Sequence, residues 1–179
     1  VMDEFIDISN DTGEVSGKTC LKSEAHKKGL LHASVHIWMY DSNKNVLIQQ
    51  RAIDKDVFPN LWDISVAGHI SAGEHPLDAA VREIAEEIGL HIHETQLQFI
   101  GTWKKKVEHS TTLIDNELHH IYMCEIDIDI STLKIQKEEV ASIKTISITD
   151  LITEVHSEKN NFVPHGTDYY NFVLNTIKK

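Results

Sequence analysis

The clearest pattern in the first half of the chain is a pair of apolar segments joined by a short polar turn. Residues 32–40 (HASVHIWMY) are rich in β-branched and aromatic side chains, which predicts a strand. Residues 41–45 (DSNKN) predict a turn, and residues 46–52 (VLIQQRA) predict the returning strand of a hairpin. Similar patterns predict further strands over residues 3–9, 97–108, 117–128 and 138–148.

Helical periodicity is strongest over residues 76–88. Pro76 suits the first helical position, where its missing N–H is not needed, and Gly89 suits the C-terminal cap. One face of this helix is apolar and should meet the core; it consists of Leu77, Ala80, Val81, Ile84 and Ile88. Two more helices are predicted: one begins near residue 148, with Thr149 or Asp150 as its cap, and one covers residues 168–179.

The order of these elements predicts the fold class. Pro59 and Asn60 mark residues 53–65 as a loop, and the polar stretch 19–30 shows no clear period. Many strands with few helices favour the α+β class, in the form of an α/β/α sandwich whose helices cover a mixed sheet. A length of 179 residues favours one domain over residues 1–179, with residues 1–31 as an N-terminal extension packed on it.

The helix at 76–88 carries an unusual group of acids. Glu83 is three residues from Glu86 and four from Glu87, so the three carboxylates share one face and repel each other. They also lie in the second half of the helix, where the macrodipole does not favour anions. A solvated acidic face is the ordinary explanation. A divalent cation would instead turn the repulsion into binding, and hard carboxylate oxygens suit Mg²⁺ or Mn²⁺.

Composition and charge narrow the range of partners. The chain is 41% apolar and 25% charged, as in ordinary globular proteins, and its net charge is −11. Such an acidic chain lacks the basic surface that would attract nucleic acid polymers or anionic membranes, so neither is an expected partner. A small anionic substrate held by a few local cations or by metal ions remains compatible with this charge.

The cysteines and the N-terminus favour a cytoplasmic location. Cys20 and Cys124 are the only cysteines, and they have neither disulfide-framework nor metal-binding spacing. The acidic start VMDEFIDISND lacks the apolar core of a signal peptide, and no apolar run is long enough to span a membrane. We therefore expect a cytoplasmic protein, either a monomer or a homodimer.

The segment GHISAGEHPLDAAVREIAEEIGL, residues 68–90, contains more than the three acids. It fits the pattern G-x5-E-x7-R-E-(aliphatic)-x-E-E-x-G-(aliphatic) through Gly68, Glu74, Arg82, Glu83, Ile84, Glu86, Glu87, Gly89 and Leu90. This pattern is the Nudix box, and the chain resembles the Nudix hydrolase superfamily. The resemblance implies a Nudix fold with a loop–helix–loop that binds divalent metal, and cleavage of a diphosphate linked to a nucleoside or another moiety.

The resemblance also assigns roles within the box. Glu83, Glu86 and Glu87 correspond to metal-binding positions, Gly68 lends a backbone carbonyl, and Arg82 and Glu74 brace the loop. The implied reaction is in-line attack of a metal-bound water on one phosphorus. Mg²⁺ or Mn²⁺ would assist it by neutralising the diphosphate and lowering the pKa of that water. The general base must be a carboxylate close to that water, and both Glu83 and Glu117 are candidates.

A narrower resemblance covers about residues 5–165. GKTCLKSEAHKKGLLHASVHIW and LIQQRAIDKDVFPNLWDISVAGHI are similar to type I isopentenyl diphosphate isomerase and its Nudix relatives. This resemblance implies a second site that binds a transition metal. Its ligands would be His26, His32, His69, Asp115 and Glu117, and the basic residues facing the diphosphate would be Lys22, Arg51 and Lys55.

Two departures separate the chain from the isomerases. Their catalytic cysteine corresponds to Ala67, which cannot transfer a proton, and the two N-terminal histidines are one residue closer together here than in the bacterial isomerases. The Nudix box is complete in this chain, whereas in those isomerases it is eroded. The sequence therefore favours a diphosphate hydrolase of the isomerase-like branch. A diphosphate isomerase and a catalytically silent binding module remain as alternatives.

Each residue outside the box also has an ordinary interpretation. The histidines could be surface residues, Asp115 and Glu117 exposed strand residues, and Arg51 part of a surface ion pair. Lys55 could be neutralised by its flanking acids, and Lys22 has the weakest claim to the site. Trp62 fits the core better than a substrate platform, while Pro164 and His165 could line the pocket.

Overall fold

In the computed structural model, which describes residues 3–179, the strand predicted at residues 32–40 is confirmed as β3 (His32–Tyr40). It pairs in parallel with β8 (Leu113–Glu125) and antiparallel with β6 (Val66–His69), so the sheet is mixed, as predicted. Nearly all of β3 is buried because helices cover both faces of the sheet, which explains its almost continuous apolar run.

The other strands extend the sheet on both sides of β3. They are β1 (Phe5–Ser9), β2 (Val15–Leu21), β4 (Asn45–Arg51), β5 (Trp62–Asp63), β7 (Gln98–Ser110) and β9 (Val140–Ser147). The pairs β1–β2, β7–β8 and β4–β9 are antiparallel. β1 also meets β3, where Ile8 pairs with His32, so the N-terminal segment joins the same sheet. Val1 and Met2, which begin the predicted extension 1–31, lie outside the described residues.

Helices cover the two faces of the sheet and confirm the α/β/α sandwich. The predicted helix at 76–88 is confirmed as α2 (Pro76–Ile88), and its apolar side packs on a core that includes Val35, Ile37 and Met39. On the opposite face, α3 (Ile148–Val155) and α4 (Thr167–Ile177) pack around Trp38 and Ile121. Among residues 3–179, no helix combines the length and apolar character that a membrane crossing requires.

Several local features differ from the sequence predictions, among them β5, which lies within the predicted loop 53–65. Residues 19–30, which show no clear period in the sequence, contain the end of β2 and a short helix, α1 (Lys22–Lys28). This helix buries only Ala25 and therefore has almost no apolar face. The cap of α3 is Ser147, not Thr149 or Asp150, since its hydroxyl accepts a hydrogen bond from the Asp150 backbone N–H at 3.1 Å. Strand β8 begins at Leu113 rather than at residue 117, so Asp115 lies inside it.

Candidate metal centres

Arg82 organises the acidic segment around α2. Its guanidinium donates two hydrogen bonds to Glu74, at 2.8 and 2.9 Å, and one to the backbone carbonyl of His69 at 3.0 Å. It also donates to Glu83 at 2.7 Å and to Glu86 at 3.0 Å. Arg82 therefore fixes the preceding loop, the end of β6 and two helix carboxylates relative to one another. This geometry supports the bracing role expected for Arg82 and Glu74.

Gly68 lies directly against Glu83. A Cβ atom at position 68 would come within 2.0 Å of the Glu83 carboxyl carbon, so any larger residue would displace that side chain. The glycine is therefore required by the close approach of β6 to α2. The contact brings the backbone of residue 68 beside the acidic face, as expected for a carbonyl that shares a metal with Glu83.

The three helix carboxylates have different environments. Glu86 is exposed, whereas Glu83 is mostly buried and Glu87 is 6% exposed. Burial and the neighbouring Glu83 raise the pKa of Glu87 to about 8, despite a hydrogen bond of 2.9 Å from the Gln49 amide. Burial also raises the pKa of Glu83. Two adjacent buried carboxylates resist ionisation, and a bound cation would remove that penalty.

A second centre forms where α1, β3, β6 and β8 meet. His26, His32, His69 and Glu117 each place one donor atom so that all four lie within 4.8 Å of one another. The Glu117 Oε1 atom is 3.9 Å from His32 Nε2 and 3.6 Å from His69 Nε2. Within residues 3–179, this is the only group of metal-ligating side chains that meets this spacing; the glutamates of α2 do not.

Three nitrogen atoms of this centre lack hydrogen-bond partners in the described part of the chain. The Nε2 atoms of His26, His32 and His69 are buried without a hydrogen bond, and each such unsatisfied atom costs about 1–3 kcal/mol. His32 Nδ1 lies 2.8 Å from the Leu30 carbonyl, so it carries the proton and leaves the Nε2 lone pair free. Burial and the two neighbouring histidines lower the pKa of His26 to about 4, which keeps it neutral. Neutral, buried and unpartnered imidazoles fit a transition metal.

Asp115 borders this centre without joining it. Its carboxylate lies 2.8 Å from His109 Nε2, and its other oxygen is 3.7 Å from His26 Nε2. Asp115 and Glu117 do share one face of β8, as their spacing predicts, but the group of four closely spaced donors contains only Glu117. The structure thus places Asp115 beside the other four predicted ligands.

The two centres lie on opposite sides of one short strand. Successive side chains of a strand point to opposite faces, so Gly68 faces Glu83 of α2 while His69 faces Glu117. Arg82 connects them through its hydrogen bond to the His69 carbonyl. Both centres therefore depend on the position of the same strand, β6.

The three basic residues expected to face a diphosphate are engaged with protein carboxylates. Arg51 lies 3.3 Å from Asp63, and Lys22 lies 3.1 Å from Glu4. The Lys55 ammonium forms an ion pair with Glu139, rather than with its flanking aspartates. None of the three is free to neutralise an anion without breaking an ion pair.

The remaining predicted residues lie around the histidine face of the sheet. Ala67 is partly buried on β6, where it pairs with His36 of β3. Trp62 packs against the core formed with α3 and α4, in agreement with its core interpretation. His165 lies 2.6 Å from the buried carboxylate of Asp63, and the carbonyl of the neighbouring Pro164 accepts a hydrogen bond from Lys105.

Several polar residues near the histidine centre were not predicted. His119 lies 3.4 Å from Glu117 and 2.7 Å from the Ser34 hydroxyl. Although burial would raise it, contacts with His119 and His69 hold the pKa of Glu117 well below its usual range. The ring of His36 stacks on that of His119 at 3.8 Å. Polar residues alternate along β3 and β8, and this alternation was the usable signal. Which of them meet becomes clear only once the two strands are paired.

The sequence and the fold both match known proteins. Residues 30–166 match the NUDIX domain family. An uncharacterized Nudix hydrolase of Clostridium acetobutylicum is 32% identical and covers 98% of this chain and 97% of its own length. Nudix hydrolase 3 of Arabidopsis thaliana is 32% identical over 93% of this chain, which spans only 22% of that protein.

Isomerases and solved structures are also among the matches. The isopentenyl-diphosphate Delta-isomerase of Pectobacterium atrosepticum is 35% identical over 73% of this chain and 69% of its own length. A crystal structure from Deinococcus radiodurans aligns with a TM-score of 0.71 over 94% of this chain and 98% of its own length. A MutT protein from Methanosarcina mazei aligns with a TM-score of 0.62 over 83% and 96% of the two chains. These structures are 20% and 14% identical and support the fold.

Proposed function

The chain belongs to the NUDIX domain family, and on that premise we propose that it is a hydrolase that uses divalent metal to cleave a diphosphate linkage. Its substrate would be a nucleoside diphosphate derivative or a related organic diphosphate. The observation that carries this proposal is the intact acidic helix: Arg82 holds Glu83 and Glu86 in place, and Glu87 is buried beside them. We further propose that residues 1–179 form one domain, since His26 and β1 complete the site and the sheet.

The side chains of α2 suit distinct tasks. Mg²⁺ or Mn²⁺ held by Glu83, Glu86, Glu87 and the Gly68 carbonyl would neutralise the diphosphate and lower the pKa of a coordinated water. Arg82 keeps two of these carboxylates aligned from the side of the loop. Both Glu83 and Glu117 stay candidates for the general base, which must be a carboxylate close to that water. Glu117 is better suited to bind metal with the histidines, because one of its oxygens lies close to two of their Nε2 atoms.

A substrate screen tests the proposal. Nucleoside di- and triphosphates, nucleotide sugars and isoprenoid diphosphates would be incubated with the protein and Mg²⁺ or Mn²⁺, and release of phosphate or pyrophosphate measured. We expect metal-dependent release from at least one class. A metal-loaded, folded protein that hydrolyses none of these classes would favour the silent binding module.

The histidine centre and the similarity to isopentenyl-diphosphate Delta-isomerases support the isomerase alternative. His26, His32, His69 and Glu117 gather as the isomerase resemblance implies, but Ala67 offers no proton where an isomerase needs one. We therefore expect isopentenyl diphosphate to yield no dimethylallyl diphosphate above background when incubated with the metal-loaded protein. Chromatographic detection of the isomer from the unmodified chain would contradict this assignment. An Ala67→Cys variant is the matched comparison, because it restores the thiol and little else.

A further inference from the structure

Lys105 is a partly buried cation beside the histidine centre. It lies on β7, directly opposite Glu117 in the pairing with β8, and its ammonium donates a hydrogen bond to the Pro164 carbonyl. Burial lowers its pKa, which indicates that the ammonium is poorly solvated. Within the described part of the chain, no carboxylate forms an ion pair with Lys105, whereas Lys22, Lys55 and Arg51 all have one.

The acids nearest to Lys105 already have other partners. Asp63 lies 2.6 Å from His165 and 3.3 Å from Arg51. Asp115 lies 2.8 Å from His109, and Glu117 contacts the histidine centre and His119. Each of these carboxylates attracts Lys105 from a distance without contacting its ammonium. The carbonyl of Pro164 satisfies one of the three donors of the ammonium, which is left without a carboxylate in direct contact.

A partly buried ammonium without a contacting carboxylate is less stabilised than one in an ion pair, and a bound anion would supply that contact. A metal at the histidine centre would increase the positive charge on this side of β6, because three of its four ligands are neutral imidazoles. Lys105 and that centre together would therefore attract an anion. The neighbouring His36, His119 and His165 make this face of the sheet polar, which suits phosphate oxygens better than a hydrocarbon group.

We propose that Lys105 binds an anionic phosphate oxygen of the substrate on the histidine side of β6, while the metal held by α2 would act from the other side of that strand. The inference rests on the proposed function and identifies a cation beside the histidine centre that has no ion pair with a carboxylate in the described part of the chain. Unlike Lys22, Arg51 and Lys55, Lys105 would bind an anion without breaking an ion pair.

The experiment uses methylenediphosphonate, a diphosphate analogue whose P–C–P link cannot be hydrolysed, titrated calorimetrically into the protein loaded with Mn²⁺. Lys105→Met removes the charge and keeps much of the volume. We expect affinity to fall about 10- to 100-fold, as for the loss of a charge-assisted hydrogen bond. Lys104→Met is the matched control: the adjacent side chain is exposed on the other face of the same strand, and its loss should leave affinity unchanged.

Two further measurements separate phosphate binding from a structural role. If Lys105 serves to bind phosphate, Lys105→Met removes a partly buried charge and should raise the thermal midpoint of the ligand-free protein. If its role is the hydrogen bond to Pro164, the same variant should lower that midpoint. Lys105→Arg keeps the charge and should retain most of the affinity. Equal affinities of wild type and a folded Lys105→Met variant would overturn this inference alone. A wild type that neither binds the analogue nor hydrolyses any diphosphate would overturn the proposed function as well.

Discussion

Replacing Glu87 with glutamine is expected to lower turnover by roughly two orders of magnitude or more while the fold stays intact. Loss of a residue that merely supports a metal ligand costs about 10- to 100-fold, and a direct ligand should cost at least as much. The glutamine side chain fits the same volume next to Gln49 but cannot contribute a negative charge to a metal. Glu86→Gln should lower turnover as well, and it removes an exposed carboxylate rather than a buried one.

The measurement is the steady-state rate at saturating Mg²⁺ on whichever substrate the screen identifies. Glu158→Gln is the control, since it makes the same chemical change on an exposed residue far along the chain from the acidic helix. Wild-type rates in both Glu86→Gln and Glu87→Gln would show that the acidic helix does not bind the catalytic metal. A loss confined to these two variants would support the assignment.

The pH dependence of the free energy of unfolding gives an independent test of the raised pKa of Glu87. Its pKa is raised to about 8 in the folded protein, against about 4.3 for an unperturbed glutamate. Between these values the folded state binds more protons than the unfolded state, so the free energy of unfolding falls as pH rises. Without metal, Glu87 should lower this free energy by up to about 1.4 kcal/mol per pH unit across that window. Urea unfolding of Glu87→Gln should lack this contribution, and Mg²⁺ should stabilise wild type at pH 8.

The elements with strong local patterns were predictable from the sequence. β3 and α2 have the predicted boundaries because a dense apolar run and a capped amphipathic helix each determine their own limits. Helix α1 was missed because its single buried residue, Ala25, gives no periodic signal. That helix nevertheless supplies His26, whose role came from family resemblance rather than from pattern.

The less predictable part of the site depends on contacts between distant segments. Lys55 forms an ion pair with Glu139, which lies more than eighty positions later in the chain and was not predicted as its partner. The pairing of β3 with β8 likewise brings Ser34 to His119, and that of β7 with β8 sets Lys105 opposite Glu117. No local pattern encodes strand register between such segments. The site-residue assignments themselves stay predictions until the variants are measured.

The histidine centre leads to the second large expected effect, which concerns metal content. Three buried Nε2 atoms and one carboxylate face a common point, and imidazole favours Zn²⁺, Mn²⁺ or Fe²⁺ over Mg²⁺. We expect purified protein to retain close to one equivalent of transition metal through desalting at pH 8. A His26→Ala, His69→Ala double variant should retain almost none, because it removes two of the four donors. His91→Ala with His156→Ala is the matched control, since both of these histidines are exposed.

Acid should release this metal only when protons compete for the imidazoles. Burial lowers the pKa of His26 to about 4 and also lowers that of His32, so both stay neutral below the usual histidine pKa of about 6.5. Release should therefore occur near pH 5 or below, while Mg²⁺ binding at α2 is measured separately by titration. Elemental analysis across this pH range measures how much transition metal the protein retains. Equal transition-metal content in wild type and the double variant, or none in either, would leave the glutamates of α2 as the sole metal centre.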